Sequence, residues 1–447
     1  PDNRNRRRCP VRGEELIFLG WPDIAGLTRG RGIPAADLEA RKRTGIGWVP
    51  VAQALTPFST LAPNPWGPMG DIWLVPDTSA AARADLWPDE TPFHLILCNG
   101  VRPDGSPWVA CLRSLLQGAL DSLRDEFDLS VLSAFEQEFY LDGLTDVPGA
   151  NYSLIAHQLA ADFGAEVIAA LRAAGQEPET FEPEGGPAQY EVNCRPALGL
   201  QGADRALILR EIVRDVARRR GYRATFTPVV AEVGFGSGAH VHMSLQDSAG
   251  RPKTFDPDGP AGMSRLAASF SAGILRHLPA ITAFSAPSPV SYCRLTPQHW
   301  AGATAAFGAD NREAAIRVCT GRVGPGFDIA PQFNLEFRAA DGAASPHLLL
   351  AILVHAGLAG LRANLELPPP LDCDPADLSD AERERLAITA LPRSLEQALA
   401  AAEADETVRG WLPEDLWSAY FSLKRSELEF TADMTLDEQI AAYRNIY

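Results

Sequence analysis

No run of about 18 apolar residues free of charge occurs in the 447-residue chain, which excludes an ordinary membrane-spanning helix. Cysteines are few and scattered: the seven, at 9, 98, 111, 194, 293, 319 and 373, form no C-x-x-C pair. They read as reduced thiols in a cytoplasmic protein and argue against a structural zinc site. Basic residues are outnumbered, with 40 Lys and Arg against 57 Asp and Glu, giving a net charge of −17. That balance argues against nucleic acid as a main partner, and it means that an acidic substrate must be gathered by local arginines. There is no G-x-x-x-x-G-K loop, so the chain is not a P-loop enzyme, and no G-x-S-x-G nucleophile elbow. Internal repeats are absent. The opening PDNRNRRRCP is basic but lacks the apolar core of a secretory signal, and is expected to be a frayed tail. One local absence bears on substrate: no Asp or Glu occurs between Arg43 and Asp71.

The length calls for two domains, or one large catalytic domain with an appendage. Residues 14–110 read as a small β-rich unit, with short strands expected in DIWLVPD (71–77), FHLILCNG (93–100) and WVACLR (108–113). The Pro- and Gly-rich stretch that ends in TPFSTLAPNPWGPMG predicts a loop. In the larger unit, 111–447, helical spacing predicts helices over 112–127, 160–175 and 204–221, with Asp204 as N-cap of the last and Gly175 and Gly221 as stops. Strands are expected at 131–140, 188–194, in YRATFTPVV, at 239–245 and at 332–340. The chain from 345 onward is mostly helical, with PPPLDCDPADLSD (368–380) as a surface linker.

Four of these strands aim polar groups one way. Side chains alternate along a strand. Glu136 and Glu138 therefore share a face, as do Gln189, Glu191 and Asn193; His240, His242 and Ser244; and Asn334, Glu336 and Arg338. Each strand alone could be a solvated face. If all four line one cavity, it holds several carboxylates and a histidine, which cannot stay ionised together unless cations sit between them. Carboxylates with one imidazole suit Mg²⁺ or Mn²⁺. Arg294, Arg312, Arg317 and Arg338 follow downstream, and arginines facing carboxylate-bound metals describe phosphoryl transfer.

Taken together, these segments resemble the glutamine synthetase family over nearly the whole chain. FEQEFYL resembles its E-x-E strand, EGGPAQYE (184–191) its second metal motif and GSGAHVHMSL (236–245) its glycine-rich histidine strand. SYCRL, NREAAIR and NLEFR resemble its arginine and last-glutamate motifs, in family order. WPDIAGLTRGRGIP and GDIWLVPD resemble its N-terminal domain. The resemblance implies an α+β fold, with a small N-terminal β-grasp domain on a large catalytic α/β domain built on a curved antiparallel sheet. It implies a dodecamer of two stacked hexamers, each active site completed by a neighbour's N-terminal domain. It implies ATP and two or three Mg²⁺ or Mn²⁺ ions, one held by Glu138, Glu184 and Glu191 and another by Glu136, His240 and Glu336. His242, Ser244, Asn334 and Arg317 would lie towards ATP; Arg294, Arg338 and Gly236 would hold glutamate. Arg312 and Arg317 would face the transferred phosphate, and Asp71 matches a second acidic residue of the family's ammonium site. The implied reaction forms γ-glutamyl phosphate, which an amine then converts to an amide.

The departures bear on substrate. The family's aspartate-glycine-serine-serine run is missing from the 44–70 loop, and the flap glutamate is replaced by Trp300. Losing two anions weakens a site for ammonium, while an indole and a Pro-rich loop favour an organic amine with an apolar body. The expected activity is a γ-glutamyl-amine ligase; the alternatives are an ammonia-dependent glutamine synthetase and a catalytically silent ring. Phe235, Asn334 and Val229 also replace the family's asparagine, basic residue and lysine, at places that touch the acid or nucleotide. No adenylylation tyrosine motif is recognisable in 368–395, so no such regulation is expected.

Overall fold

The computed structural model describes residues 13–447 except 146, 323 and 387. The basic opening decapeptide with Cys9 lies outside the described residues.

The first sheet joins β1 (Leu16–Pro22), β2 (Thr28–Pro34), β3 (Ile46–Trp48), β4 (Ile72–Ala84) and β5 (Phe93–Val101) in the order β2-β1-β5-β4-β3. Its central β1–β5 pair is parallel and the other pairs are antiparallel, with the short helix α1 (Leu38–Thr44) beside β4. This is the expected β-grasp arrangement. Three readings need correction here. WVACLR is not a strand: Trp108 packs against Trp21 and Trp66, and a turn closed by the bond from Cys111 N–H to the Trp108 carbonyl (3.0 Å) delivers the chain into α2 (Leu112–Phe127). The strand read in 71–77 runs on to Ala84, and the loop after Arg43 contains the short strand β3.

The second sheet is built from β6 (Leu129–Asp142), β7 (Pro178–Pro183), β8 (Gln189–Cys194), β9 (Ala197–Leu198), β10 (Arg223–Thr225), β11 (Ala239–Asp247), β12 (Thr304–Ala309), β13 (Ala314–Cys319), β14 (Asn334–Phe337) and β15 (Thr389–Ala390). Its order is β15-β12-β13-β14-β11-β6-β8-β7, with β9 and β10 also paired to β6. The sheet is mixed, not purely antiparallel: β12 and β13 run parallel. Only three residues of YRATFTPVV are strand.

The helical cores behind the sheet are formed by α2, α4 (Ala161–Ala173), α5 (Leu200–Arg219), α6 (Arg265–Ser285) and α8 (Pro346–Ala363), while the short α3 (Leu154–Leu159) and α7 (Ser291–Arg294) lie in the connections between them, α7 carrying Arg294 to the cavity. Beyond them come α9 (Asp380–Arg385), α10 (Leu395–Ala404), α11 (Glu406–Arg409), α12 (Glu414–Thr431) and α13 (Leu436–Arg444). Alternation sorts the sheet's faces: Phe135, Val241, Met243, Leu335 and Phe337 enter one core with α2, α6 and α8, which leaves their polar neighbours facing the other way. α8 is long and apolar enough to cross a membrane by length and composition, but it is largely buried and packs on α6 and α2 as a core helix. Asp204 does not cap α5, which begins at Leu200 after Gly199 (φ 59°). Asp204 is instead buried inside the helix, where its carboxylate accepts from Arg113 Nε (2.9 Å), Arg113 Nη2 (2.8 Å) and His347 Nε2 (2.8 Å).

Candidate active site

Strand register assembles the polar face. On neighbouring strands His240 lies opposite Glu136, Glu191 opposite Glu138, and Glu336 opposite both His242 and Arg317. The expected cavity exists. It has a volume of about 900 Å³ and is lined by Glu136, Glu138, Glu184, Glu191, His240, Arg294, Arg312, Arg338, Gly236, Phe235 and Trp300, among others. Arg317 and His242 stand just behind the lining; Arg317 donates to Glu336, and His242 Nε2 lies 2.9 Å from Glu136 Oε1. Asn334 supports His242, its Oδ1 lying 2.7 Å from Nδ1. Glu336 also lies behind the lining, fully buried on β14, and two further expected site residues stand apart from the cavity. Ser244 is a further step along β11, opposite Leu132. Asp71 is exposed, just before β4, in the other sheet's domain.

The cavity has two electrostatic halves. In one, Glu136 and Glu336 are well compensated. Burial pushes both carboxyls up, but His240 and His242 beside Glu136, and His240, Arg338 and His242 around Glu336, hold both below the usual range. Arg317 Nη1 donates to Glu336 Oε2 at 2.8 Å and Arg338 Nη1 donates to Oε1. Burial and then Arg338 lower His240, so it stays neutral. In the other half, burial and then the neighbouring carboxylates push Glu184 up to about 7 and Glu191 well above its normal range. This trio of Glu138, Glu184 and Glu191 is a donor set short of positive charge, which a divalent cation would supply. The ligand atoms of Glu136, His240 and Glu336 lie within 4.8 Å of one another, a second grouping able to hold a metal. The donor chemistry of this grouping, two carboxylates and an imidazole, fits a hard divalent cation.

Glycines let these groups converge. Gln189 Nε2 donates to the Gly236 carbonyl (2.9 Å) and Gly238 N–H donates to Glu138 Oε2 (2.9 Å), which seats the glycine-rich loop against the E-x-E strand. Tyr140 Oη donates to the Phe235 carbonyl (2.6 Å), fixing the loop's other end. Arg294 is buried beneath it, with Nη2 3.1 Å from His240 Nε2.

The sequence reading missed Tyr152, Glu182, Gln298 and His299, which also line the cavity, and gave no role to Gln189 or Asn193 although their strand face was recognised. Tyr152, Gln298 and His299 are on irregular segments, where no periodicity marks a direction.

The family model described as the glutamine synthetase catalytic domain matches residues 109–443, and that of the glutamine synthetase N-terminal domain matches residues 6–108. The chain belongs to the glutamine synthetase family. It is therefore an ATP-dependent carbon–nitrogen ligase from a family that uses divalent metals. It is 33% identical over 445 residues to gamma-glutamylpolyamine synthetase GlnA3 of Streptomyces coelicolor, covering 97% of this chain and 93% of that protein. It is 31% identical over 442 residues to glutamine synthetase of Mycobacterium tuberculosis, covering 94% of each. A crystal structure of a novel glutamine synthase homolog superposes with a TM-score of 0.91 at 40% identity, covering 98% of this chain and 99% of that one.

Proposed function

We propose that this enzyme joins glutamate to an organic amine rather than to ammonium. The observation that carries this reading is Trp300, whose half-exposed indole lines the cavity at the position of the family's flap glutamate. With Phe235 and Tyr152, also about half exposed, it makes an aromatic mouth above the carboxylates. A small hydrated cation gains little from such a surface; an amine with an apolar or aromatic body buries part of itself there. Similarity to a gamma-glutamylpolyamine synthetase supports the reading, although the similarity to a glutamine synthetase is nearly as strong.

In this reading Arg294 and Arg338 bind the glutamate carboxylates. Three Arg338 donors already serve Glu336, the Arg312 carbonyl and the Trp300 carbonyl, so only its remaining N–H groups face substrate. Arg312 and Arg317 face the phosphate, and His242, Asn334 and Ser244 lie on the nucleotide side. Glu138, Glu184 and Glu191 would hold one Mg²⁺ or Mn²⁺, and Glu136, His240 and Glu336 another, which would supply the positive charge that phosphoryl transfer needs. Glutamate's γ-carboxylate takes the γ-phosphoryl group of ATP, and the amine nitrogen then displaces phosphate from the acyl carbon. Asp71 reaches the site only from a neighbouring subunit, in a double-hexamer dodecamer located in the cytoplasm.

ADP release by the purified enzyme with ATP, glutamate and Mg²⁺ or Mn²⁺ tests this. An alkyl-, aryl- or polyamine is expected to exceed ammonium in kcat/KM by about tenfold or more, roughly 1.4 kcal/mol of transition-state discrimination. Ammonium as the better substrate would return the enzyme to glutamine synthesis. No turnover with any amine would favour a changed acid substrate or a silent ring.

A further inference from the structure

The loop between α7 and β12, residues 295–303, carries Trp300 over the cavity, and its own bonding does little to hold it there. Gln298 (φ 62°) and Trp300 (φ 53°) both adopt the left-handed region, which side chains of this size rarely enter. Inside the loop the one side-chain anchor is His299 Nδ1, which donates to the Pro297 carbonyl (2.9 Å) and lies 3.0 Å from Thr296 Oγ1, and none of these is a strained residue. The strained backbone is held from outside. Glu313 Oε1 accepts the Trp300 N–H at 2.8 Å and Glu313 Oε2 accepts the Gln298 N–H at 3.2 Å. Arg338 Nη2 donates to the Trp300 carbonyl at 2.7 Å.

Glu313 is itself anchored. Its N–H donates to Asn311 Oδ1 (3.0 Å), and Asn311 Nδ2 donates to the carbonyls of Leu371 (3.1 Å) and Cys373 (3.0 Å). The Arg312 carbonyl accepts Arg338 Nε at 2.9 Å, which closes a frame from the last metal-site strand to the loop. Glu313 is not among the cavity-lining residues, and both of its oxygens are engaged by backbone. An acid does approach position 300, but it shapes the loop instead of offering its charge to the cavity.

We propose that Glu313 is a positioning residue: its carboxylate latches residues 298 and 300 in the strained pose that presents the Trp300 indole to the amine's apolar body, and so sets preference for organic amines over ammonium. The preference clause rests on the reading of Trp300 above. A carboxylate can accept two N–H groups at once; an amide of the same size offers one oxygen and turns an NH₂ towards the second donor.

Two measurements on the full-length enzyme test the latch. In hydrogen–deuterium exchange, the peptide spanning 295–303 of Glu313→Gln is expected to exchange about tenfold faster than wild type, with the 239–247 strand unchanged. In ADP-release kinetics, KM for the preferred amine is expected to rise about tenfold, with KM for ATP and glutamate within about twofold and selectivity over ammonium falling in proportion. In a Trp300→Ala background, Glu313→Gln should add less than about twofold, because the latch acts through the indole. Unchanged loop exchange would overturn the latch. Equal losses for ammonium and organic amine, or full additivity with Trp300→Ala, would overturn its role in selectivity. A wild-type enzyme that prefers ammonium would overturn the substrate reading and the selectivity clause together, and loop exchange alone would then decide the latch.

Discussion

Gly238 has no room for a methyl group. A Cβ there would lie 2.6 Å from Arg294 Nη2, 2.6 Å from His240 Nε2 and 3.1 Å from Glu138 Oε1, so one added carbon presses on an arginine and two proposed metal ligands at once. All three neighbours are buried, and Arg294 is bonded to His240, so they cannot all swing aside. Gly238→Ala is expected to lower thermal stability, since overpacking a buried site costs about 1–3 kcal/mol, and to lose about 10²-fold in kcat/KM, since a displacement of about 1 Å in positioning groups costs that much. Circular dichroism melts beside ADP-release assays check it, and full activity would show that the three groups need not converge. The same crowding explains how much of the site could be read from sequence. Carboxylates and histidines that alternate on strands announce their direction, so the candidate ligands Glu136, Glu138, Glu191, His240 and Glu336 were legible one by one. Tyr152, Gln298 and Glu313 come from loops or act through backbone N–H groups, and nothing in residue type or spacing marks them.

At the scale of elements, legibility followed local determinism. α2 was readable to the residue because its apolar positions repeat with helical period from Leu112 and its stop, Asp128, is a left-handed cap. α5 was readable but its start was not. Asp204 looks like an N-cap only if its long-range partners Arg113 and His347 are invisible, as they are in sequence. WVACLR has strand composition, but tryptophan packing turned it. β12 and β13 passed unread because AAFGA and AAIRV are rich in alanine and glycine, which favour strands weakly, and owe their strand state to pairing in the sheet. One element makes a pH prediction. His355 on α8 is largely buried, stacked on Trp411 with Arg362 nearby, and burial followed by Arg362 lowers it to about 4. Its ordinary value is 6.5. The native state therefore binds fewer protons than the unfolded state between pH 4 and 6.5, and stability rises with pH across that window. The contribution is whole above pH 6.5 and is lost as pH falls to 4. His355→Gln is expected to flatten the decline of the melting temperature over this window relative to wild type; parallel melting curves for the two would refute it.

At the scale of the whole molecule, one proposed functional residue is out of place in a single chain. Asp71 is exposed, at the start of β4 in the N-terminal sheet, whereas the cavity opens on the face of the second sheet defined by Glu136, His240 and Glu336. The N-terminal sheet packs on its own chain's α4 and α5 through Ala80, Ala82, Ala84, Leu95 and Leu97, which ties it down on the helical side. If Asp71 serves catalysis, it serves a neighbour's cavity, and that has a genetic signature. Asp71→Asn and Glu336→Gln are each expected to be nearly inactive alone. Co-expressed, they form mixed rings in which about a quarter of the shared sites, by random mixing, combine an intact Asp71 with an intact Glu336. Activity should therefore return to about a quarter of wild type in the mixed rings, measured as ADP release after tandem purification on two tags. Mixed rings as inactive as either parent would mean that each cavity is complete within one chain and that Asp71 has no part in it. A fully active Asp71→Asn enzyme would mean that this surface carboxylate contributes nothing to turnover in any subunit.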